Sequence, residues 1–555
     1  MAAIGSSAAA GRMREITVST QIDTLAADDG VFLQAKTKIE PLVCGWYAWT
    51  HLVSPIQHAM NVAYRHIPLL ESFLLDPQVH SAASRDPALF GGPFADLSLD
   101  QTPMVRQLLA DTRQRCSRLV RVAEDIKNLD LRLQKVASGY SLHELYLRPP
   151  DSLSGLVEFL YDLNCHPKLR VYEELLYDEH LCPDTHEIML TLTAEEQRPF
   201  FMSTPRLKGP GNTILKMEFD DCRIDQLASM RTTPGSFKKI VGDLGIAPQN
   251  LTEFRRFFTD KPPSRNACEY SGDGVRVRYF GHACVLLQTA CTSILIDPMF
   301  AWDTDKDDGR LTFNDLPDHL DYVVLSHNHQ DHCAPEMLLQ LRHRVGRVIV
   351  PRNNSGNAAD PSMKLMLEHL GMHDVGELSA FDQVKFRDGR ITSLPFPGEH
   401  VDLDIHSRHG IHVEARGRQF MFLVDSDGRD PSLFARITRR IGKKLDALFV
   451  GMECHGAPLT WLYGPLLTKP ISRRNDESRR LSGLNAERAW AVLQNFDVSR
   501  VFVYAMGQEP WLRYLMGLQY TPDSIQIREV AGFLERCRQQ KIASENLYIS
   551  KEVAF

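Results

Sequence analysis

Residues 326–333 read SHNHQDHC, three histidines and an aspartate directly behind the apolar run DYVVL. In extended chain, side chains two positions apart point to the same side, so His327 and His329 can share one ion. A turn then lets Asp331 and His332 face a second ion. Ala334 and Pro335 open a predicted helix, APEMLLQLRHR, so the segment reads as strand, loop and helix. A lone histidine is usually structural, but four ligand-type side chains within six positions at a strand end point to metal. The rest of the chain must therefore fold so that a strand end presents this loop.

A length of 555 residues exceeds what one hydrophobic core organises, which predicts at least two domains. The stretch FFTDKPPSRNACEYSGDG, residues 257–274, collects proline, glycine and charge and marks the boundary. We read residues 1–18 as a flexible end, 19–265 as a helix-rich mixed N-terminal domain and 266–555 as the metal-bearing domain. In the first of these domains, apolar spacing from Val105 to Val136 predicts one long amphipathic helix between Thr102 and Gly139. In the second, VRVRYF, CVLLQT, SILIDP, DYVVLSH, RVIVP, FMFLVD, ALFVGM and RVFVYAM read as strands, with helices or loops between several.

Composition removes some function classes. A formal net charge of −7 gives no reason to expect nucleic acid as a partner. The first residues lack the apolar core of a signal peptide and no run of about 18 apolar residues occurs. The expectation is a cytoplasmic protein without membrane contact. Eleven cysteines, an odd number without CxxC pairs, are expected to be mostly reduced and buried. Cys284, Cys333 and Cys454 near the motif are read as packing rather than ligation.

YFGHACVLLQT, ILIDP and the HxHxDH motif together resemble the metallo-β-lactamase superfamily. The resemblance implies a C-terminal αββα sandwich within an α+β or α/β chain, with a dinuclear site at one sheet edge. It also implies a third first-metal ligand in FPGEHVDLDIH, a bridging Asp425 in FLVDSDG, and a final histidine in VFVYAMGQEP. That last strand end contains no histidine, and none follows His455. Glu399 and His400 compete for the third place, and we read Glu399 as the ligand. The resulting set is His327, His329, Asp331, His332, Glu399 and Asp425, with Glu399 and Asp425 also given catalytic roles. Such an oxygen-rich set suits two irons and O2 better than a zinc hydrolase.

With the upstream WYAWTHLVSPIQHAMNVAYRHIPLLESFLL, the pattern resembles the diiron β-hydroxylases of nonribosomal peptide assembly, the chloramphenicol-pathway type. The resemblance implies two iron ions bridged by Asp425, O2 and external electrons as co-substrates, and an aminoacyl-loaded carrier domain as partner. It further implies an electron donor and a homodimer, with the N-terminal domain as dimer contact or substrate cover. Two rivals remain open: a dinuclear zinc hydrolase of a lactone, thioester or phosphodiester, and a nonenzymatic scaffold.

Among the neighbours, His406, His409 and His412 are read as surface or supporting residues. Asp297 and His282 orient ligands or backbone. Trp461, Tyr463 and His455 are candidate substrate contacts, His455 also a candidate ligand of the second iron, and Glu453 a supporting carboxylate. SRRNDESRR, residues 472–480, is a solvated loop or a docking patch for an acidic carrier.

Overall fold

The computed structural model describes residues 30–193, 196, 198–265, 268–517 and 519–555. The flexible end read at residues 1–18 lies outside them. Upstream, an antiparallel sheet of order β2-β1-β3-β4 is built from β1 (Thr37–Val43), β2 (Trp46–Tyr47), β3 (His186–Leu192) and β4 (Asn212–Lys216). Between β2 and β3 run α1 (Pro55–Asn61), α2 (Ile67–Leu75), α3 (Thr102–Arg115) and α4 (Ser117–Val136).

The single helix expected over 102–139 is therefore two. The chain breaks at Cys116 (φ −98°, ψ 14°), where the Ser117 hydroxyl donates to the Gln114 carbonyl at 3.0 Å. Buried Cys116 meets buried Cys44 with sulfurs 3.2 Å apart. No proline or glycine punctuates the break, so the apolar spacing runs through it unchanged.

Downstream strands form two seven-stranded sheets. They are β5 (Arg276–Tyr279), β6 (Val285–Gln288), β7 (Ser293–Ile296), β8 (Leu320–Val324), β9 (Val345–Pro351), β10 (Val375–Leu378), β11 (Gln383–Phe386), β12 (Gly389–Leu394), β13 (Gly410–Ala415), β14 (Arg418–Phe422), β15 (Ala447–Gly451), β16 (Arg500–Tyr504), β17 (Ala543–Asn546) and β18 (Lys551–Ala554). The first sheet has order β10-β9-β8-β7-β6-β5-β18 and the second β11-β12-β13-β14-β15-β16-β17. Their inner faces share a core including Ile294, Ile296, Ile411, Phe422 and Phe449.

The period-two alternation decides what each face meets. In β7, Ile294 and Ile296 face the second sheet, whereas Leu295 packs outward into the core that holds the N-terminal layer. That outward core also takes Met337 and Leu338 from α5 (Pro335–Leu341), so the N-terminal layer serves as the outer cover of the first sheet. On the far side, α6 (Pro431–Ile441), α8 (Ala486–Leu493) and α9 (Ile525–Gln539) cover the second sheet with Phe434, Val492 and Phe533. The short α7 (Leu459–Tyr463) lies in the loop between β15 and α8 and packs into the N-terminal core. This is an αββα sandwich with an added N-terminal layer.

Candidate metal centre

Strands β7 and β8 pair in parallel, as do β14, β15 and β16, so the C-terminal ends within each of these sets share one edge. The loops after them carry the motif, Asp425, Glu453 and Ala505. Several residues just past strand ends adopt left-handed backbone: Asp297 (φ 41°), Glu399 (φ 60°), Val424 (φ 48°) and Ala505 (φ 54°). For a β-branched valine this is a true outlier, and such strain clusters where a side chain must be aimed. Gly398 permits the turn into Glu399, because a Cβ there would sit 2.0 Å from Asp427 Cγ.

Seven buried side chains converge in three groups: His327–His329–Glu399, His327–His332–Asp425 and His282–Asp331–His332. His329 Nδ1 stands 3.0 Å from Glu399 Oε1, and His327 Nε2 stands 3.6 Å from Glu399 Oε2 and 3.7 Å from Asp425 Oδ2. His332 Nε2 lies 3.0 Å from Asp425 Oδ2 and 3.5 Å from Asp331 Oδ2. Asp425 thus sits between His327 and His332.

The supporting hydrogen bonds fix which ring nitrogens are free. Asp297, fully buried, accepts from the Ser326 hydroxyl at 2.6 Å and from His332 Nδ1 at 2.9 Å. With its proton committed to Asp297, the Ser326 oxygen accepts from His327 Nδ1 at 2.9 Å. Both imidazoles therefore keep their Nε2 lone pairs for the centre. Nε2 of His327, His329 and His332 and Oε2 of Glu399 have no hydrogen-bond partner. Converging unpartnered imidazole and carboxylate atoms fit a pair of transition-metal ions of the kind the motif implies.

Electrostatics agree. Burial, with His332 and His329 beside it, holds His327 well below the usual imidazole range. Burial opposes ionisation of Asp331, but His332 and His282 overcome it and hold its carboxyl low. Burial also opposes protonation of His332, and Asp331 and Asp425 outweigh it. Burial raises Glu399 despite His329, and burial with Asp425 and Asp331 raises Glu453.

The remaining sequence candidates separate cleanly. His282 accepts from the Gly507 amide at Nδ1 (3.2 Å) and turns Nε2 to Asp331 at 3.0 Å, an orienting geometry. His400 directs Nδ1 to the Gly398 carbonyl at 3.3 Å and lies outside the three groups, though its Nε2 is free. His409 has both nitrogens engaged, by Ser393 and the Leu325 carbonyl. His406 is half-exposed beside Asp404, and His412 is buried on β13 away from the groups. His455 is exposed and outside the groups. Cys284 and Cys333 are buried and Cys454 half-buried, none of them in a group.

Tyr463 is buried with its ring 6.0 Å from His51. Trp461 lines a cavity of about 630 Å³ with Tyr64, Arg65 and Phe200. His51, to which the sequence reading gave no role, is buried, stacks on Trp49 at 4.7 Å and has neither ring nitrogen partnered. Beside it, the Thr50 hydroxyl donates to the Asn328 carbonyl at 2.7 Å, tying the N-terminal layer to the metal loop. The signal was present in WYAWTH, but nothing local tells a packed histidine from one facing a centre some 280 residues away.

Comparison with known proteins completes the identification. Residues 32–262 match the family described as diiron non-heme beta-hydroxylase N-terminal domain, and residues 276–429 match the beta-lactamase superfamily domain. The chain is 32% identical over 496 residues to the 4-amino-L-phenylalanyl-[CmlP-peptidyl-carrier-protein] 3-hydroxylase of Streptomyces venezuelae, covering 88% of this chain and 93% of that protein. The crystal structure of CmlA, a diiron beta-hydroxylase from Streptomyces venezuelae, matches with a TM-score of 0.89 and 30% identity, covering 95% of this chain and 99% of that one. A UPF0173 metal-dependent hydrolase of Listeria innocua is 29% identical over 135 residues, only 22% of this chain and 55% of its own. The hydrolase likeness is partial and the hydroxylase likeness spans both layers: this chain belongs to the diiron non-heme β-hydroxylases, iron-dependent oxidoreductases of the monooxygenase class.

Proposed function

We propose that this enzyme hydroxylates the β-carbon of an amino acid held as a thioester on a carrier domain of a nonribosomal peptide synthetase. The observation that carries the reading is Glu399: a carboxylate, rather than a third imidazole, groups with His327 and His329. The name of the Streptomyces relative, which specifies a peptidyl-carrier-protein-bound substrate, supports the tether.

His327, His329 and Glu399 would hold one iron, Asp331 and His332 the other, with Asp425 bridging. Bound there, the irons supply O2 chemistry in which the β C–H becomes C–OH, one oxygen leaves as water, and an external donor gives two electrons with two protons. Asp297 and Ser326 keep His332 and His327 in the ligating tautomer. Trp49 and His51, both buried and flanking the Thr50 that bonds the metal loop, would close the centre on the N-terminal side and exclude bulk water. The described part of the N-terminal unit would thus cover the site, and dimer contacts are compatible with that role.

Trp461 and its cavity offer an apolar wall for the amino-acid side chain or its arm. The segment 472–480, read from sequence as a loop, holds a short helix (Arg473–Ser478) capped by the Ser472 side chain, and just beyond it Arg479 and Arg480 donate to the carbonyls of Val401 and Gly456. Arg473 and Arg474 remain exposed for an acidic carrier. A carrier-bound substrate supports a cytoplasmic site of action. Among the described residues no helix is long and apolar enough to cross a membrane.

The test is incubation of iron-loaded enzyme with a 4-aminophenylalanine-loaded carrier domain, reductant and O2. The expected product carries one added oxygen at Cβ, and the free amino acid gives none. Release of the aminoacyl group without added oxygen would favour thioester hydrolysis, the reading that a metal bond to the free His400 nitrogen would support.

A further inference from the structure

Three buried polar side chains from three distant segments lie within electrostatic reach of the His329–Glu399 half of the centre, each with polar atoms left unpartnered. His51 comes from the N-terminal layer, His400 from the loop after β12, and Tyr463 from the end of α7. His51 and His400 are 1% exposed and Tyr463 2%. Both nitrogens of His51, Nε2 of His400 and the Tyr463 hydroxyl make no hydrogen bond. The His400 ring lies 4.5 Å from that of His329. Buried polar atoms are rarely left unsatisfied, and each orphan costs about 1–3 kcal/mol unless something fills it.

We propose that His51, Tyr463 and His400 form a subsite for the acyl head of the substrate, hydrogen-bonding the thioester carbonyl and the α-amino group. This rests on the function proposed above and names the residues that enforce the tether.

The character of the three groups selects the ligand class. The unpaired His51 imidazole, the free Nε2 of His400 and a phenol offer neutral donors and acceptors. The nearby guanidinium groups are anchored by neutral oxygens. Arg65 donates to the Trp461 carbonyl at 2.7 Å and to Asn61 at 3.0 Å, and Arg408 donates to the Gly398 carbonyl at 2.6 Å. A thioester carbonyl, a neutral acceptor, can be satisfied by such neutral donors. In the substrate, Cβ lies about 2.5 Å from the carbonyl carbon, so fixing the carbonyl here keeps the reacting carbon beside the Glu399 half.

The experiment titrates 4-aminophenylalanyl-pantetheine thioester, pantetheine and free 4-aminophenylalanine into iron-loaded wild type, Tyr463→Phe and His51→Phe. Each substitution keeps a ring and removes the polar atoms. Iron per chain and the thermal midpoint are measured alongside. The expected result is roughly tenfold weaker thioester binding in each variant, as for loss of one hydrogen bond of about 1.4 kcal/mol. Pantetheine binding and iron content should stay within twofold. Unchanged thioester affinity in both variants overturns the subsite. Equal losses for thioester and pantetheine overturn it too, since the acyl group is then not what is read. Loss of iron in His51→Phe would make His51 part of the metal shell instead. Wild type that binds thioester no better than pantetheine defeats the tethered-substrate reading itself, and the subsite with it.

Discussion

The seam between the N-terminal layer and the sandwich and the metal edge a few residues away use the same side-chain types in opposite ways. At the seam, Glu336 of α5 is fully buried and fully engaged. Its oxygens accept from Arg198 at 2.8 Å, Tyr47 at 2.9 Å and Tyr514 at 3.0 Å. Glu40 on β1 accepts from Arg206 at 2.9 Å and stands 3.5 Å from Arg198. At the edge, buried imidazoles and carboxylates face one another with lone pairs to spare. Partnered charge fixes how the cover sits, and unpartnered charge waits for metal and substrate.

The contrast can be broken by substitution, beginning at the seam. Glu336→Ala leaves two phenols without their acceptor and Arg198 with Glu40 alone, and should cost about 3–5 kcal/mol in denaturant unfolding. A loss under 1 kcal/mol would mean that the network is ornamental. At the edge, Asp425→Ala should lower hydroxylation more than about 100-fold and reduce bound iron, with the circular dichroism spectrum unchanged. Asp297→Ala touches no metal in the proposed site, yet releases Ser326 and His332. Iron affinity or activity should fall about 10–100-fold.

Acid should act on the N-terminal layer. Burial lowers His58 to about 4 and His186 to about 3, the latter stacked on Phe219 at 4.0 Å. Their folded values lie below the unfolded value near 6.5. This stability is therefore intact above pH 6.5 and is lost as pH falls toward 4, at about 1.4 kcal/mol per pH unit for each histidine. Unfolding followed between pH 7 and 5 should show that slope, reduced by about one proton in His58→Gln. The smallest effect belongs to the solvent-exposed Arg113–Glu71 pair, where Arg113→Ala should change stability by under about 0.5 kcal/mol.

How much of this was legible follows the same division. The motif stands at the end of the β-branched run DYVVL and Asp425 at the end of the apolar run FMFLVD, and each of the eight runs read from sequence is a strand, whereas Glu399 follows a strand that no such run announces. β11 escaped because exposed Gln383 and Lys385 interleave its short apolar content, and β12 because half of its buried stretch is the polar pair Thr392 and Ser393. β1 escaped for a different reason: it buries Lys38 and Glu40, whose charge reads as surface until Arg198 and Arg206 arrive from elsewhere in the chain. β18 pairs with β5 across some 275 residues, a contact that no local pattern encodes. His51 was hidden likewise, since its significance lies in what its nitrogens fail to meet.

The central claim is that Glu399 completes a diiron rather than a dizinc centre. It is tested most directly by metal content per chain after expression with iron and zinc both supplied, for wild type and Glu399→His together. The account predicts about two irons per wild-type chain, as the diiron family implies, and a shift toward zinc in the variant. About two zincs in the wild type, unchanged by the substitution, would contradict it.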